Sequence, residues 1–389
     1  MQGMRAFAGA LVAALTAGCG LDAVALEGAI PQTPRAFSAG YAAQRVVVDR
    51  GRFEASAHAA GPIEVQGGTF LVPLAGKRSL RCGVVPEPWS LATQLQAQIR
   101  ALATRERVGL VRTAARLGDS GRPYLVAEAL YGPGDVRGIA QFGVFGSSEG
   151  TVVCTTSGDA RIVEVLAIVE ERAESQRWSE ENGRERPLYA ETKLVYLGES
   201  PVGFEYHYLR RRGAKGLSWF KVRGLTGRVN ESALSAIDDV TIERLDDERH
   251  VIELRELLTS DGKKTYDVVV QREPDGALAV TGNAGGRVQR RTLPSERPIE
   301  SDLSMAPLFR ALLAGQAAKV SGRRVVVEGA DVRTVDQVYT RRSESIAVDA
   351  EGAAFAVDDR GLVHRAEESD QAAGAAMRVE RTRVIGAIP

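Results

Sequence analysis

The stretch Val202-Gly203-Phe204-Glu205-Tyr206-His207-Tyr208 decides the fold of the larger part of the chain. Val202, Phe204, Tyr206 and Tyr208 alternate with Gly203, Glu205 and His207. A period of two is that of a strand, whose successive side chains point to opposite faces, here with the aromatic rings on one of them. Outward from it the same kind of pattern recurs. Strands are predicted near 189–196, 217–225, 238–245, 249–258, 264–272, 286–293, 319–328, 331–340, 344–349, 353–358 and 361–366. Asp261-Gly262, Asp275-Gly276 and Glu351-Gly352 mark hairpin turns between them. The Pro-containing run from Leu293 to Glu300 is a loop, and a helix is predicted after it, from Ser304 to Leu313. No internal repeat of fixed period is present.

Upstream, Arg45–Asp49, Arg52–His58, Thr69–Leu74 and Ser79–Val85 read as short strands. Ser90 is a suitable helix cap, and Leu91, Leu95, Ile99 and Leu102 follow it at helical spacing. Strands are expected near 108–117, 123–130, 137–145 and 151–157, then a helix from about Asp159 to Ser175 with Ile162, Val163, Leu166 and Val169 on its apolar face. Residues 178–187 are charged and turn-forming, as in a linker. The expected class is α+β. A small α/β/α sandwich with an antiparallel sheet, over 45–177, precedes a larger, mostly antiparallel β domain over 188–389 with one inserted helix.

The element order of the first unit resembles the PsbP-like sandwich family. In the second unit, Tyr196–Gly203, the Leu293-Pro294 loop with its helix, and Phe355–Arg365 resemble two groups. One is the LolA-like carriers, curved sheets that hold lipid on the concave face. The other is the set of β-rich modules beside transglutaminase-like domains. Taken alone, Phe204, Tyr206, Tyr208, Trp219 and Phe220 suit a core; the carrier resemblance implies that Phe204, Tyr206 and Tyr208 line a ligand site.

The amino terminus has the order of a secretory signal, with Arg5 followed by the apolar run Ala6–Ala17. That run is about twelve residues, short of the ~20 that span a bilayer. Leu15-Thr16-Ala17-Gly18-Cys19 resembles a lipobox, with Thr16 where Leu is usual. The resemblance implies a signal peptide over 1–18, a lipid on Cys19 and a tether over 19–44, which contains Pro31 and Pro34. Gly20 in place of Asp points, by the same resemblance, to an outer-membrane lipoprotein facing the periplasm. Cleavage after Ala23-Val24-Ala25 would instead release a soluble secreted protein. Of the remaining cysteines, Cys82 and Cys154 read as one disulfide in an exported chain, with two free thiols or a redox pair as the alternative.

Charge excludes one class of partner. Fifty basic and fifty acidic residues leave no excess to neutralise a nucleic-acid backbone. Ser148, in Gly146-Ser147-Ser148-Glu149-Gly150, has the spacing of a hydrolase nucleophile, but a strand and not a helix follows it, which fits a hairpin turn. His58, His207, His250 and His364 lack the spacing of paired zinc ligands on a helix. Adjacent carboxylates (Asp238-Asp239, Asp246-Asp247, Asp358-Asp359) face opposite ways on a strand and suit strand ends and turns. Arg210-Arg211-Arg212 with Lys215 makes a basic hairpin tip, either a solvated turn or a contact for an anionic surface. No metal or cofactor is implied. The expectation is a non-enzymatic envelope lipoprotein. Its partners are the membrane, through the anchor, and a hydrophobic or lipid-like ligand held on the β-rich domain. The alternative is a protein-interaction module in envelope assembly, with a hydrolase acting through Ser148 a distant third.

Overall fold

The computed structural model describes residues 42–48, 53–74, 78–117, 122–133, 138–146, 150–157, 187–212, 216–228, 233–370 and 375–388. Cys19 and nearly all of the tether, Ser148, Lys215, the helix expected over 159–175 and most of the linker lie outside them.

The described residues are mostly antiparallel β, with two helices. β1 (Ala42–Val48) and β2 (Phe53–Ala59) form a hairpin. β3 (Glu64–Gln66), β4 (Thr69–Leu74), β5 (Arg78–Val85), α1 (Leu91–Ala103), β6 (Val108–Leu117), β7 (Pro123–Tyr131), β8 (Gly138–Gly146) and β9 (Thr151–Ser157) follow. Their strands make a seven-stranded sheet in the order β3-β4-β5-β9-β8-β7-β6. Cys82 and Cys154 face each other directly on β5 and β9 and are joined by a disulfide, with Cα atoms 4.0 Å apart. Both are fully buried, under the hairpin that supplies Val46 and Val48.

The larger sheet has fourteen strands. Its first meander is β10 (Tyr189–Leu197), β11 (Ser200–Arg212), β12 (Gly216–Arg228), β13 (Leu234–Leu245), β14 (Val251–Ser260), β15 (Lys263–Arg272), β16 (Leu278–Ala284) and β17 (Arg287–Leu293). After α2 (Asp302–Leu313) comes a second meander, β18 (Lys319–Glu328), β19 (Asp331–Arg341), β20 (Ile346–Asp349), β21 (Ala354–Val357), β22 (Val363–Asp370) and β23 (Ala375–Gly386). The two meanders join where β23 pairs with β10. The far ends then come round toward each other: Gln289 Nε2 donates to Ala330 O at 3.1 Å and Arg291 Nη2 to Val332 O at 2.6 Å.

α2 packs against the interior of this curled sheet. Leu303, Met305, Phe309 and Leu312 are buried with Tyr339, Phe355 and Val379 in one core. Its start is fixed by a capping box: Ser301 Oγ accepts from Leu303 N and Ser304 N, while Ser304 Oγ accepts from Ser301 N. Just before it, Ile299 O accepts from Val251 N and Glu300 N donates to Arg323 O, so the chain ties β14 to β18. Gly322 lets the helix approach, since a Cβ there would lie 2.4 Å from Met305 Sδ.

The expected division at 178–187 does not separate two cores. Trp89, Leu91, Leu95 and Ile99 share one apolar cluster with Phe204, Tyr206, Tyr208, Val222 and Ala236. α1 is thus a layer between the two sheets. Its cap also differs from expectation. Ser90 makes no side-chain cap bond; its hydroxyl lies against Glu87 O and Thr151 Oγ1. Asp238, from β13, accepts from Ala92 N at 2.8 Å and Thr93 N at 2.7 Å instead. This is a carboxylate at a helix amino terminus, supplied from another part of the chain.

Two outcomes test this arrangement. The disulfide closes a separation of 72 residues, so its reduction, or Cys82→Ser with Cys154→Ser, lowers stability by about 4 kcal/mol on chain-entropy grounds; urea unfolding with and without reductant measures it. Burial pushes the Asp238 carboxyl up to about 6, outweighing the two N–H bonds that pull it down. An acid raised in the folded state stabilises the fold at low pH, and that contribution is lost as pH rises from about 4 through 6. The stability of wild type relative to Asp238→Asn therefore falls by about 2 kcal/mol between about pH 4.5 and 7. A difference that is flat or rises with pH would contradict the buried cap.

Candidate functional site

The interior face of the larger sheet carries a belt of ionisable side chains. Register places them in two cross-strand rows. One runs Glu191, His207, Lys221, Thr241, Glu256 from β10 to β14. The next runs Lys193, Glu205, Arg223, Asp239, then Leu258. A third, Tyr189, Leu209, Trp219, Glu243, Leu254, borders the first. Apart from Tyr189, Leu209 and Leu258, these residues form one wall of a cavity of about 170 Å³. The opposite wall is largely apolar, with Phe309 of α2 and Tyr339, Phe355, Leu362, Ala366 and Val379 of the second meander. Gly361, just before Leu362, has a positive φ of +83° and passes so close to α2 that a Cβ would meet Ala306 O at 2.1 Å.

Pairing satisfies much of the charged wall. Glu191 Oε1 meets Lys193 Nζ at 3.0 Å and His207 Nδ1 at 3.2 Å. Glu191 Oε2 meets Arg381 Nε at 2.7 Å and accepts from Tyr189 OH at 2.8 Å. Against the burial that pushes it up, Lys193, His207 and Arg381 hold the Glu191 carboxyl well below the usual range. Arg223 donates to Glu205 Oε1 through Nε at 2.9 Å and Nη2 at 2.5 Å. With His207 and Lys193 it brings Glu205 down to about 2, again against burial. Lys221 Nζ reaches Glu243 Oε1 at 2.5 Å and Asp302 Oδ2 at 3.7 Å, and Arg324 Nη2 reaches Asp302 Oδ1 at 3.0 Å. Asp302 is thereby held well below its ordinary value despite burial.

The β13–β14 side differs. Burial, with Glu205 adding to it, pushes Asp239 up against the pull of Arg223. Burial and the neighbouring Asp239 push Glu256 up to about 8. Tyr266, whose hydroxyl is 3.4 Å from Glu256 Oε1, is pushed up by burial and by both carboxylates. Asp239 Oδ1, Glu243 Oε2 and Trp219 Nε1 are buried and have no hydrogen-bond partner among the described residues.

The expected ligand-lining residues sit elsewhere. Phe204, Tyr206 and Tyr208 are on the opposite face of β11, in the core shared with α1. Trp89 packs 5.2 Å from the Tyr206 ring and donates through Nε1 to Tyr208 OH at 3.3 Å; Tyr208 stacks on Phe220 at 4.5 Å. Their alternates, Glu205 and His207, face the cavity. Asp238 and Asp239 do face opposite ways, but from mid-strand and not from a strand end. Asp246 and Asp358 are turn residues, each accepting from backbone N–H groups two and four positions on. Arg210 is no solvated tip: its guanidinium lies 5.0 Å above the Tyr208 ring, while Arg211 and Arg212 are exposed. His250 sits within 3.4–3.7 Å of Glu248, Glu300 and Asp246. His58 lies on β2 and His364 on β22. No group of three or more metal-ligating side chains occurs among the described residues, and no helix there is long and apolar enough to cross a membrane.

No family model matches the chain, and none of the curated proteins matches it. Among solved structures, a β-barrel-like protein of the domain of unknown function DUF1849 from Brucella abortus is 13% identical. It covers 51% of this chain and 97% of its own, with a TM-score of 0.37. A DUF1089 family protein from Pseudomonas aeruginosa is 17% identical and covers 44% of this chain and 86% of its own, with a TM-score of 0.23. At these levels neither neighbour carries information about function.

The pairing has a measurable consequence. Carboxylates lowered in the folded state stabilise it above their unfolded values, and that stability is lost as pH falls, for Glu205 between about 4.5 and 2. Glu191→Gln leaves Lys193, His207 and Arg381 facing a neutral amide, which costs about 3–5 kcal/mol. Circular dichroism during acid titration should show the variant unfolding at clearly higher pH than wild type. Coincident titrations would mean that the belt contributes little.

Proposed function

We propose that this is a non-enzymatic binding protein of the cell envelope, anchored through lipid on Cys19, that takes a small amphipathic ligand into the cavity of its curled sheet. The observation that carries the proposal is the two-sided lining. One wall offers Phe309, Tyr339, Phe355 and Leu362, the other a row of ionisable groups. Such a site takes a molecule with an apolar body and a polar end. The volume of about 170 Å³ is close to that of an engineered cavity of ~150 Å³ that holds benzene. The enclosed part of the ligand is therefore of about that size, smaller than a full acyl chain.

Native mass spectrometry of the mature protein from Gly20 onward, made in the periplasm, tests this. A bound mass on the order of 100–200 Da, scaled from the benzene comparison, should be present and be released by organic solvent. Ala366→Leu intrudes on the apolar wall and should remove it. Tyr206→Phe, on the opposite face of β11, should retain it. If wild type carries no mass and binds no small amphipathic probe, the fold serves instead as a protein-interaction module.

A further inference from the structure

The polar wall is not balanced. Its carboxylates are Glu191, Glu205, Asp239, Glu243, Glu256, Glu300 and Asp302, against the permanent cations Lys193, Lys221, Arg223, Arg324 and Arg365. The cations are taken up largely by Glu191, Glu205, Glu243 and Asp302. Asp239 and Glu256 have no cation within ion-pair distance among the described residues, and they are diagonal neighbours, since Asp239 opposes Leu258 and Thr241 opposes Glu256. Glu243 is 2% exposed and Trp219 is 1% exposed, and they oppose each other on β13 and β12. Each keeps one polar atom, Glu243 Oε2 and Trp219 Nε1, without a partner among the described residues, in the same wall of the cavity. The first is an acceptor and the second a donor. Buried polar atoms in native proteins are nearly always satisfied, so both call for a group that enters the cavity.

Building on the proposed binding role, we propose that this wall is an ammonium subsite. Asp239 and Glu256, diagonal neighbours, receive the protonated amine of the ligand. Glu243 and Trp219, which oppose each other farther along the strands, meet a hydroxyl carried beside it: Trp219 Nε1 donates to its oxygen and Glu243 Oε2 accepts its O–H. The ligand class is a small amino alcohol with an apolar tail. An ammonium offers hydrogen-bond donors and a positive charge to the carboxylates, whereas a carboxylate end would meet like charge. The groups facing Glu256 are Thr241 and Asp239 on β13, Lys221 and Arg223 on β12, Glu205 on β11 and Tyr266 on β15. Because burial and Asp239 raise Glu256 to about 8, a bound cation displaces its proton, and affinity increases as pH rises from about 7 to 9.

The test is calorimetric titration of the whole mature protein with four probes of similar size: N-butylethanolamine, hexylamine, hexanol and hexanoate. N-butylethanolamine should bind tightest, hexylamine next and hexanoate not at all. Hexylamine should exceed hexanol by about tenfold or more, the factor of one charge-assisted hydrogen bond. Asp239→Asn and Glu256→Gln each remove a half-buried carboxylate that has no cation within ion-pair distance among the described residues, so both variants should fold with unreduced melting temperature. Each should weaken amine binding about tenfold and leave hexanol binding unchanged. Hexanol binding as tightly as hexylamine, or amine affinity unmoved in both variants, would overturn the ammonium subsite while leaving the cavity as a binding site. No binding by any of the four would remove the binding role as well.

Discussion

Strands β10 to β13 are covered on both faces, and the rest of the structure follows from how that is made tolerable. On the outer face the cover is apolar: Phe204, Tyr206, Tyr208 and Val222 lie against Trp89, Leu95 and Ile99. On the inner face the side chains are Glu, Lys, His, Arg and Asp, which water solvates well and a protein interior does not. Moving such groups out of water costs several kcal/mol each unless partners meet them. The partners come from register, because adjacent strands place Glu191 beside His207 and Glu205 beside Arg223. They also come from far away in sequence, from Arg381 on β23 and Asp302 at the start of α2. Arg381 arrives through the β10–β23 ladder, opposite Lys193, whereas Asp302 arrives only with α2 packed inside the curled sheet, so closure around α2 and neutralisation of the interior go together.

The same constraint explains why the amino-terminal half is not an independent appendage. Asp238 and Asp239 are adjacent, yet one caps α1 and the other faces the cavity. The turn after β14 reinforces the link: Asp261 Oδ1 accepts from Gln96 Nε2 at 2.7 Å and from Ala236 N at 2.9 Å. Asp261 holds a positive φ of 51° to do so, a conformation that Asp tolerates better than most side chains. Helix, turn and sheet are thus joined by carboxylates that satisfy backbone donors on one face while the alternate positions serve the interior.

Much of the strand content was legible, and for a plain reason. Alternation and Asp-Gly turns are local signals, and β11, β14, β15, β18 and β19 follow from them closely. The strands that were not anticipated carry those signals weakly. β16 follows the Asp275-Gly276 turn but contains Gly282 and Asn283, and β23 interleaves Arg378, Glu380, Arg381 and Arg383 with little apolar run. β23 nevertheless occupies a central place, because its pairing with β10 joins residues nearly the whole domain apart. The expected lining residues lie away from the cavity for a subtler reason. Alternation in Val202–Tyr208 shows that two faces differ, but it does not show which is wet. Taken alone the aromatic rings suited a core, and the carrier resemblance implied a ligand site on them; both faces are buried, and the rings went to the core. A signal was present in retrospect. Glu191/Lys193, Glu205/His207 and Lys221/Arg223 repeat a charged pair two residues apart on three successive strands, more than a solvent face requires. The helix cap was beyond local reading altogether, since Ser90 looked adequate and the carboxylate that does the work comes from β13.

Stability alone accounts for one end of the belt and not for the other. Around Glu191 each carboxylate oxygen meets a cation or a hydroxyl, which is the arrangement a buried charge network needs if it is not to destabilise the fold. Toward β13 and β14 the same wall keeps Asp239 and Glu256 near each other with no cation within ion-pair distance among the described residues, and burial raises both against the pull of Arg223 and Lys221. If the belt served only to close the sheet, apolar residues at these positions would serve as well, since Leu254 and Leu258 already fill the neighbouring sites on β14. The uncompensated groups are also not scattered. They line one cavity together with Trp219, Phe309 and Phe355. A cost concentrated on one wall of one cavity is what a fold accepts where a ligand completes the pairing, and it is the asymmetry of the belt, more than its presence, that marks this wall as the site.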